Sequence, residues 1–166
     1  MLRKFTVLYL VVIVFMPLVT SFSERNKPKE PDRVSLFFVD RQMMRLVESD
    51  FYIYESTPED KARMVVSELI NGRDENDMVR RMLPDSRDAI DVTVSGGIAY
   101  VDINEKYMEF YEKGKIQEQL IVYQIVNSLS SVEGISRVKF LFDGEEKKEF
   151  VGEIDMREAF VPDYNI

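Results

Sequence analysis

The amino-acid sequence predicts an α+β fold, in which a mixed, largely antiparallel sheet is covered by two main helices in the order β-β-α-β-β-α-β. Two segments carry apolar residues at helical spacing, and the shorter segments around them alternate or cluster apolar residues as strands do. Gly, Pro and Asp fall between most of these segments, where turns are expected. Each helix has one apolar stripe, so each needs a sheet face to bury against.

Two strands open the predicted domain. Residues 34–39 (VSLFFV) form a compact apolar run that Asp40 ends. Residues 46–54 follow, with one mostly polar and one mostly apolar face. Unequal faces are typical of a strand in a half-covered sheet.

The first helix has the clearest local pattern in the chain. Thr57 offers a capping hydroxyl, Pro58 suits the first helical position, and acids occupy the first turn. The apolar residues of its stripe recur at helical spacing: Ala62, Val65, Val66, Leu69 and Ile70. Gly72 stands where a C-terminal cap belongs. Residues 78–83 are predicted to add a short helical turn before Pro84.

A hairpin and a second helix follow. Residues 90–94 and 98–103 alternate in polarity on either side of Gly96-Gly97, and this pair supplies the positive φ angles of a tight turn. Residues 116–130 predict the second helix. Its stripe is Ile121, Val122, Ile125, Val126 and Leu129.

The last predicted strand is residues 137–143, where apolar and polar residues alternate before Gly144 turns the chain. The charged run 145–149 is predicted to be a solvated loop. Residues 150–154 are predicted to add a short edge strand.

The N-terminus predicts export. Residues 1–4 form a small basic region with Arg3 and Lys4, residues 5–19 are an uninterrupted apolar run, and small residues follow at Ser21 and Ser23, which is the layout of a signal peptide over residues 1–23. The same segment, if retained, would act as a membrane anchor. Residues 24–33 are a charged linker, residues 34–158 the folded domain and residues 159–166 a C-terminal tail. We therefore expect a periplasmic or other extracytoplasmic protein.

Composition excludes several kinds of chemistry. The chain has neither Cys nor His, so it has no thiolate nucleophile, no imidazole base and no usual zinc ligands. A net charge of −8 without a basic stripe argues against binding nucleic acid. We predict no catalytic residue, no metal site and no cofactor.

Three aromatic residues are the candidate partner-binding site. Tyr107, Phe110 and Tyr111 lie in a segment that is neither a clear strand nor a strong helix. Exposed aromatics of this kind anchor partner proteins. They could equally form a lid over the core. The aromatic tail at residues 160–166 leaves the same two alternatives open.

Other polar residues have structural explanations that we prefer. Residues 74–77 (DEND) resemble a calcium loop in composition but lack its spacing, so a solvated loop is favoured. Asp102 and Asp143 end strands and would suit a paired-carboxylate site, although ordinary turn chemistry explains them better. Asn127 lies close to the apolar stripe and is expected to bond to neighbouring backbone.

Several short motifs follow one another in a recognisable order. They are SELING at 67–72, MLPDS at 82–86, the hairpin DVTVSGGIAYVDI at 91–103, VNSL at 126–129, VEGI at 132–135 and VKFLFDG at 138–144. Over residues 34–156 the chain resembles the GerMN domain family, the sporulation and spore germination domain. The resemblance implies an extracytoplasmic α/β domain of bacterial envelope proteins, often lipoproteins. Its fold is similar to the ring-building modules of secretion and sporulation machines, and no catalytic residue is carried over.

The chain departs from that family in two ways. It has no Cys to carry a lipid, and it has one copy of the domain where the sporulation member has two. A spore-specific role is therefore not expected.

The resulting functional hypothesis is a non-enzymatic module of the cell envelope that binds another envelope protein, with self-association into a homo-oligomer as a further outcome. The alternatives are a carboxylate-dependent hydrolase of envelope glycan and a domain that binds a small envelope ligand.

Overall fold

The computed structural model describes residues 30–72, 79–111, 115–152 and 154–166. The predicted signal peptide, most of the predicted linker and the acidic run at 74–77 lie outside these residues. The first strand begins at Asp32, within the predicted linker.

The described elements follow the predicted order with two additions, a short third strand and a 3-10 helix. They are β1 (Asp32–Asp40), β2 (Leu46–Ile53), α1 (Pro58–Asn71), β3 (Val79–Arg80), β4 (Ile90–Ser95), β5 (Ile98–Ile103), a 3-10 helix (Glu105–Phe110), α2 (Lys115–Ser130) and β6 (Arg137–Phe142).

The predicted α+β fold is confirmed, and its strands are hydrogen-bonded as two three-stranded sheets. Sheet A has the order β2-β1-β3, and all of its pairs are antiparallel. Sheet B has the order β4-β5-β6, in which β4 and β5 form the predicted antiparallel hairpin and β6 runs parallel to β5. The crossover through α2 makes that parallel pairing possible.

The helical turn predicted at 78–83 is wrong for the residues that the structure describes. Val79 and Arg80 instead form β3, which pairs with Val39 and Asp40 at the end of β1. A two-residue strand is too short for any periodic pattern to identify it.

The edge strand predicted at 150–154 is also absent from the described residues of that range. Residues 150–152 and 154 are not part of a strand. A single bridge between Glu149 and Asp155 takes its place. Gly152 adopts a φ of 113°, so the chain turns instead of extending. Phe150 and Met156 are both buried on either side of this turn.

Helix α1 forms as its local pattern predicts. The Thr57 hydroxyl accepts a hydrogen bond from the Asp60 N–H at 3.1 Å, Pro58 is the first helical residue, and Gly72 caps the C-terminus with a φ of 59°. All five residues of the predicted stripe are buried. The stripe of α2 is buried in the same way, so both helices pack their apolar sides into the core.

The C-terminal tail (residues 159–166) packs along the domain. Phe160 exchanges two backbone hydrogen bonds with Val138 of β6, at 3.0 and 2.7 Å. Asn127 of α2 is fully buried and forms two hydrogen bonds with the backbone of Asp163. Its side-chain N–H donates to the Asp163 carbonyl at 2.7 Å, and its side-chain oxygen accepts from the Asp163 N–H at 3.0 Å. Asn127 thus bonds to backbone as expected, but that backbone belongs to the tail.

Candidate functional site

The predicted aromatic site lies on and just after the 3-10 helix, and Tyr107 has a structural role there. Its hydroxyl donates to the Asp88 carboxylate at 2.5 Å and lies 2.8 Å from the Ser86 hydroxyl. Hydrogen bonds from Lys106, Ser86 and Tyr107 hold the pKa of Asp88 well below its usual range. This cluster fastens the loop before β4 to the 3-10 helix.

Phe110 and Tyr111 are neighbours with opposite exposure. Phe110 is 48% exposed, whereas Tyr111 is only 5% exposed and packs its ring against Phe150 at a centroid distance of 4.8 Å. Burial raises the pKa of Tyr111, and its hydroxyl has no hydrogen-bond partner among the described residues. Tyr111 therefore belongs to the core, and Phe110 is the residue of the three whose ring solvent reaches most.

Asp102 and Asp143 are engaged in turn geometry. Asp102 accepts a hydrogen bond from the Gly144 N–H at 2.9 Å, and Asp143 accepts one from the Glu105 N–H at 3.2 Å. Asp143 itself has a φ of 49°, a conformation that Asp tolerates in tight turns. Both carboxylates therefore stabilise the ends of β5 and β6.

Side chains in the last turn of α2 and directly after it close the second edge of β1. The N–H of Ser35 donates to the Ser131 hydroxyl at 3.0 Å, and the N–H of Phe37 donates to the buried Ser128 hydroxyl at 2.8 Å. Val39, two residues further, pairs with β3 on the same side. Successive residues of a strand direct their backbone N–H and C=O groups to opposite edges. The backbone groups of Ser35, Phe37 and Val39 therefore all point away from β2.

Sheet B has both of its edges covered in part. On β4, Glu59 of α1 accepts from the Val94 N–H at 3.2 Å, and Arg63 donates to the Val92 carbonyl at 3.3 Å. A 2.9 Å ion pair joins Glu59 to Arg63. On β6, Phe160 of the tail forms the bridge described above. Side chains of α1 and the backbone of the tail thus form hydrogen bonds with edge N–H and C=O groups of sheet B that an additional strand would otherwise bind.

The outer edge of β2 is different. The backbone N–H and C=O groups of Val34, Leu36 and Phe38 in β1 point toward β2. Those of their partners Phe51, Ser49 and Val47 therefore point toward β1. The residues of β2 that alternate with these three direct their backbone N–H and C=O groups outward, away from β1. They are Leu46, Glu48, Asp50 and Tyr52. The N–H of Leu46 donates to the Ile166 carbonyl at 3.3 Å, which confirms this direction.

We call residues 48–52 the open edge. In the part of the chain that the structure describes, no strand pairs with this side of β2. Unpaired backbone groups on a sheet edge are a template for another chain. The alternating pattern of residues 46–54 predicted the strand, but not that it would end the sheet.

Exposed apolar side chains lie at both ends of the β1–β2 hairpin. Met44 in its turn is 78% exposed, Tyr52 is 56% exposed, and Tyr54 is 63% exposed. Asp40 holds the turn by accepting from the Met44 N–H at 2.8 Å. Tyr164 of the tail, also exposed, stacks near Phe37 at 5.5 Å on the same sheet. Exposed aromatic side chains are frequent contacts at interaction surfaces.

The described residues form several open concave features, one of which, of about 700 Å³, lies beside Tyr111 and Phe150. A hollow of about 290 Å³ between α1 and β4 has an apolar floor with Arg63, Arg87 and Asp91 at its rim. Another, of about 430 Å³, lies on sheet A beside Tyr164. Nowhere in the described ranges do three metal-ligating side chains come together to hold an ion.

Comparison with protein families decides the classification. The model of the Germane family, described as sporulation and spore germination, matches residues 35–148. The chain belongs to the Germane family. The resemblance found in the sequence motifs is therefore confirmed.

Solved structures share the Germane fold. The first GerMN domain of the sporulation protein GerM from Bacillus subtilis superposes with a TM-score of 0.60 at 22% identity, covering 78% of this chain and 97% of that one. The tandem GerMN domains of the same protein give 0.61 at 22% identity, covering 79% of this chain and 46% of the tandem chain. A Clostridium perfringens protein assigned as a lipoprotein gives 0.56 at 16% identity, with 82% and 91% covered.

No curated protein sequence matches this Germane chain. Among the residues that the structure describes, no helix combines the length and apolar character that crossing a bilayer requires.

Proposed function

We propose that this chain is a non-enzymatic protein-binding module of the cell envelope, and that its partner docks on the open edge of β2. The observation that carries the proposal is the contrast between edges. Helix side chains cover β1 and β4, the tail covers β6, and the open edge presents outward backbone groups beside exposed apolar side chains. A partner strand would satisfy those groups and bury that surface.

The envelope location rests on separate support. Residues 1–23 have the layout of a signal peptide or anchor. One solved relative is assigned as a lipoprotein, and another is a sporulation protein. Both relatives are consistent with work outside the cytoplasm. Phe110, which is exposed on a different part of the domain, is a secondary candidate contact.

Hydrogen exchange of single amides tests the docking edge. In the free protein, the outward N–H groups of Glu48, Asp50 and Tyr52 should exchange quickly, while those of Val47 and Ser49, which face β1, should be protected. When partner-containing envelope extract is added, the outward amides should slow. Unchanged exchange at these positions in a complex would exclude the open edge as the docking site.

Two variants at one position provide a matched pair. Asp50→Pro removes the outward N–H without removing a hydrogen bond between β1 and β2, because edge strands tolerate Pro where the N–H faces solvent. Asp50→Ala removes the same carboxylate and its ion pair with Arg33 but keeps the N–H. A partner captured by the Ala variant should be lost by the Pro variant, with both folded by circular dichroism. Equal capture by the two variants would refute docking by strand addition.

A further inference from the structure

The two faces of the open edge differ in chemistry, which limits the strands that fit beside it. The side chains of Glu48, Asp50 and Tyr52 all lie on one face of the sheet and are exposed. Val47, Ser49 and Phe51 lie on the other face and are half-buried, and Phe51 packs against the core. An incoming strand places its own side chains alternately on these two faces.

The exposed face carries more negative than positive charge, because within β1 and β2 Glu48 and Asp50 share it with the single cation Arg33. Glu48 accepts a hydrogen bond from the neutral Ser35 hydroxyl at 2.5 Å. Asp50 pairs with Arg33 at 2.6 Å, yet both side chains remain about half exposed. Directly opposite residues on paired strands lie about 5 Å apart, where opposite charges attract and like charges repel. A neighbouring strand with Lys or Arg on this face is therefore favoured.

The other face is suited to apolar neighbours. Val47 and Phe51 belong to the outer strand of sheet A and are half-buried. Apolar side chains of an added strand would complete their burial.

A second copy of this chain fits poorly. Two β2 strands related by a two-fold axis pair most residues when the axis passes through Ser49 or through Asp50. The first register places Glu48 opposite Asp50 of the other copy, and the second places Asp50 opposite itself. Both bring acids together, and acidic side chains on an edge discourage self-pairing.

We propose, building on the function proposed above, that the open edge binds an extended segment of a different protein in which basic and apolar residues alternate. The basic residues face Glu48 and Asp50, and the apolar residues cover Val47 and Phe51. The net charge of −8 on the whole chain assists the approach of such a segment.

Three synthetic eight-residue peptides test the proposal against the purified domain. One alternates Lys and Val, one alternates Glu and Val, and one has the Lys and Val residues grouped in two blocks. The alternating Lys peptide should slow exchange of the outward Glu48 and Asp50 amides and bind about tenfold more tightly than either other peptide, weakening as salt rises. The doubly reversed variant Glu48→Lys/Asp50→Lys should prefer the Glu peptide.

The outcomes separate the two proposals. If the Lys and Glu peptides protect the edge amides equally, the basic partner is refuted while docking on the open edge stands. If Asp50→Pro also leaves partner capture unchanged, edge docking falls as well. A dimer that Asp50→Pro abolishes would make a second copy the occupant and would overturn the inference.

Discussion

Replacing Ser128 by Ala should destabilise the domain, whereas replacing Ser130 by Ala should not, although the two residues lie two positions apart in α2. The Ser128 hydroxyl is the acceptor for the buried N–H of Phe37 at 2.8 Å. The Ser130 hydroxyl is buried without a hydrogen-bond partner among the described residues. The pair therefore separates the hydrogen bond to β1 from the general effect of a Ser-to-Ala change in a helix.

The expected magnitude follows from the lost bond. A buried N–H left without an acceptor costs about 1–3 kcal/mol. The higher helix propensity of Ala offsets roughly 0.5 kcal/mol of this, so Ser128→Ala should lower the free energy of unfolding by about 0.5–2.5 kcal/mol. Ser130→Ala removes an unsatisfied hydroxyl and should change that free energy by about zero to 1 kcal/mol in the stabilising direction.

Urea denaturation with an unchanged m-value measures the two free energies, and exchange of the Phe37 amide provides a local readout. In Ser128→Ala that amide should exchange faster, and in Ser130→Ala it should not. Equal free energies for the two variants, or a Phe37 amide that stays protected in both, would refute the assignment of Ser128 as the group that closes β1. The contrast between covered and open edges would then lose its main support.

Three further predictions concern residues that the sequence singled out. Asn127→Ala should lower the free energy of unfolding by about 1–3 kcal/mol and speed exchange of the Asp163 amide, because both bonds to the tail are lost; an unchanged Asp163 amide would contradict this. Burial raises the pKa of Tyr111 above its ordinary 10.0, so only the unfolded state loses this proton as pH passes 10, and stability falls there. Tyr111→Phe should remove that part of the alkaline loss, seen as a higher Tm than wild type at pH 11 and a Tm no lower at pH 8. Asp102→Asn should change stability by less than about 1 kcal/mol, because Asn also accepts the turn N–H; glycan hydrolysis that this variant abolishes would contradict a structural role.

Elements with local determinants were predictable from the sequence. Helix α1 carries its start, stripe and end within a few residues of one another, from Thr57 to Gly72, and it formed as expected. The β4–β5 hairpin was equally local, since Gly96 and Gly97 supply the positive φ angles at its turn. For such elements the deciding interactions lie close in sequence, so periodicity and capping residues suffice.

The open edge could not be predicted in this way, because it depends on contacts between distant residues. Ser128 lies 91 residues from Phe37, and Ser131 lies 96 residues from Ser35. Nothing in the motif around Ser128 distinguishes a hydroxyl that bonds to a strand from one that faces solvent. The same limit explains Asn127, whose backbone partner lies 36 residues away in the tail.

The arrangement of edges also has a kinetic consequence. A partner strand at the open edge extends sheet A outward and displaces neither a helix nor the tail between Glu48 and Tyr52. Association should therefore not wait for a slow opening of the domain, and its rate constant should fall in the ordinary range of about 10⁵–10⁷ M⁻¹s⁻¹. If the partner segment is basic, that rate should decrease as salt screens Glu48 and Asp50. A partner that instead bound by replacing Phe160 at β6 would first have to break the two hydrogen bonds between Asn127 and Asp163. Its association would therefore be slow and insensitive to Asp50→Pro.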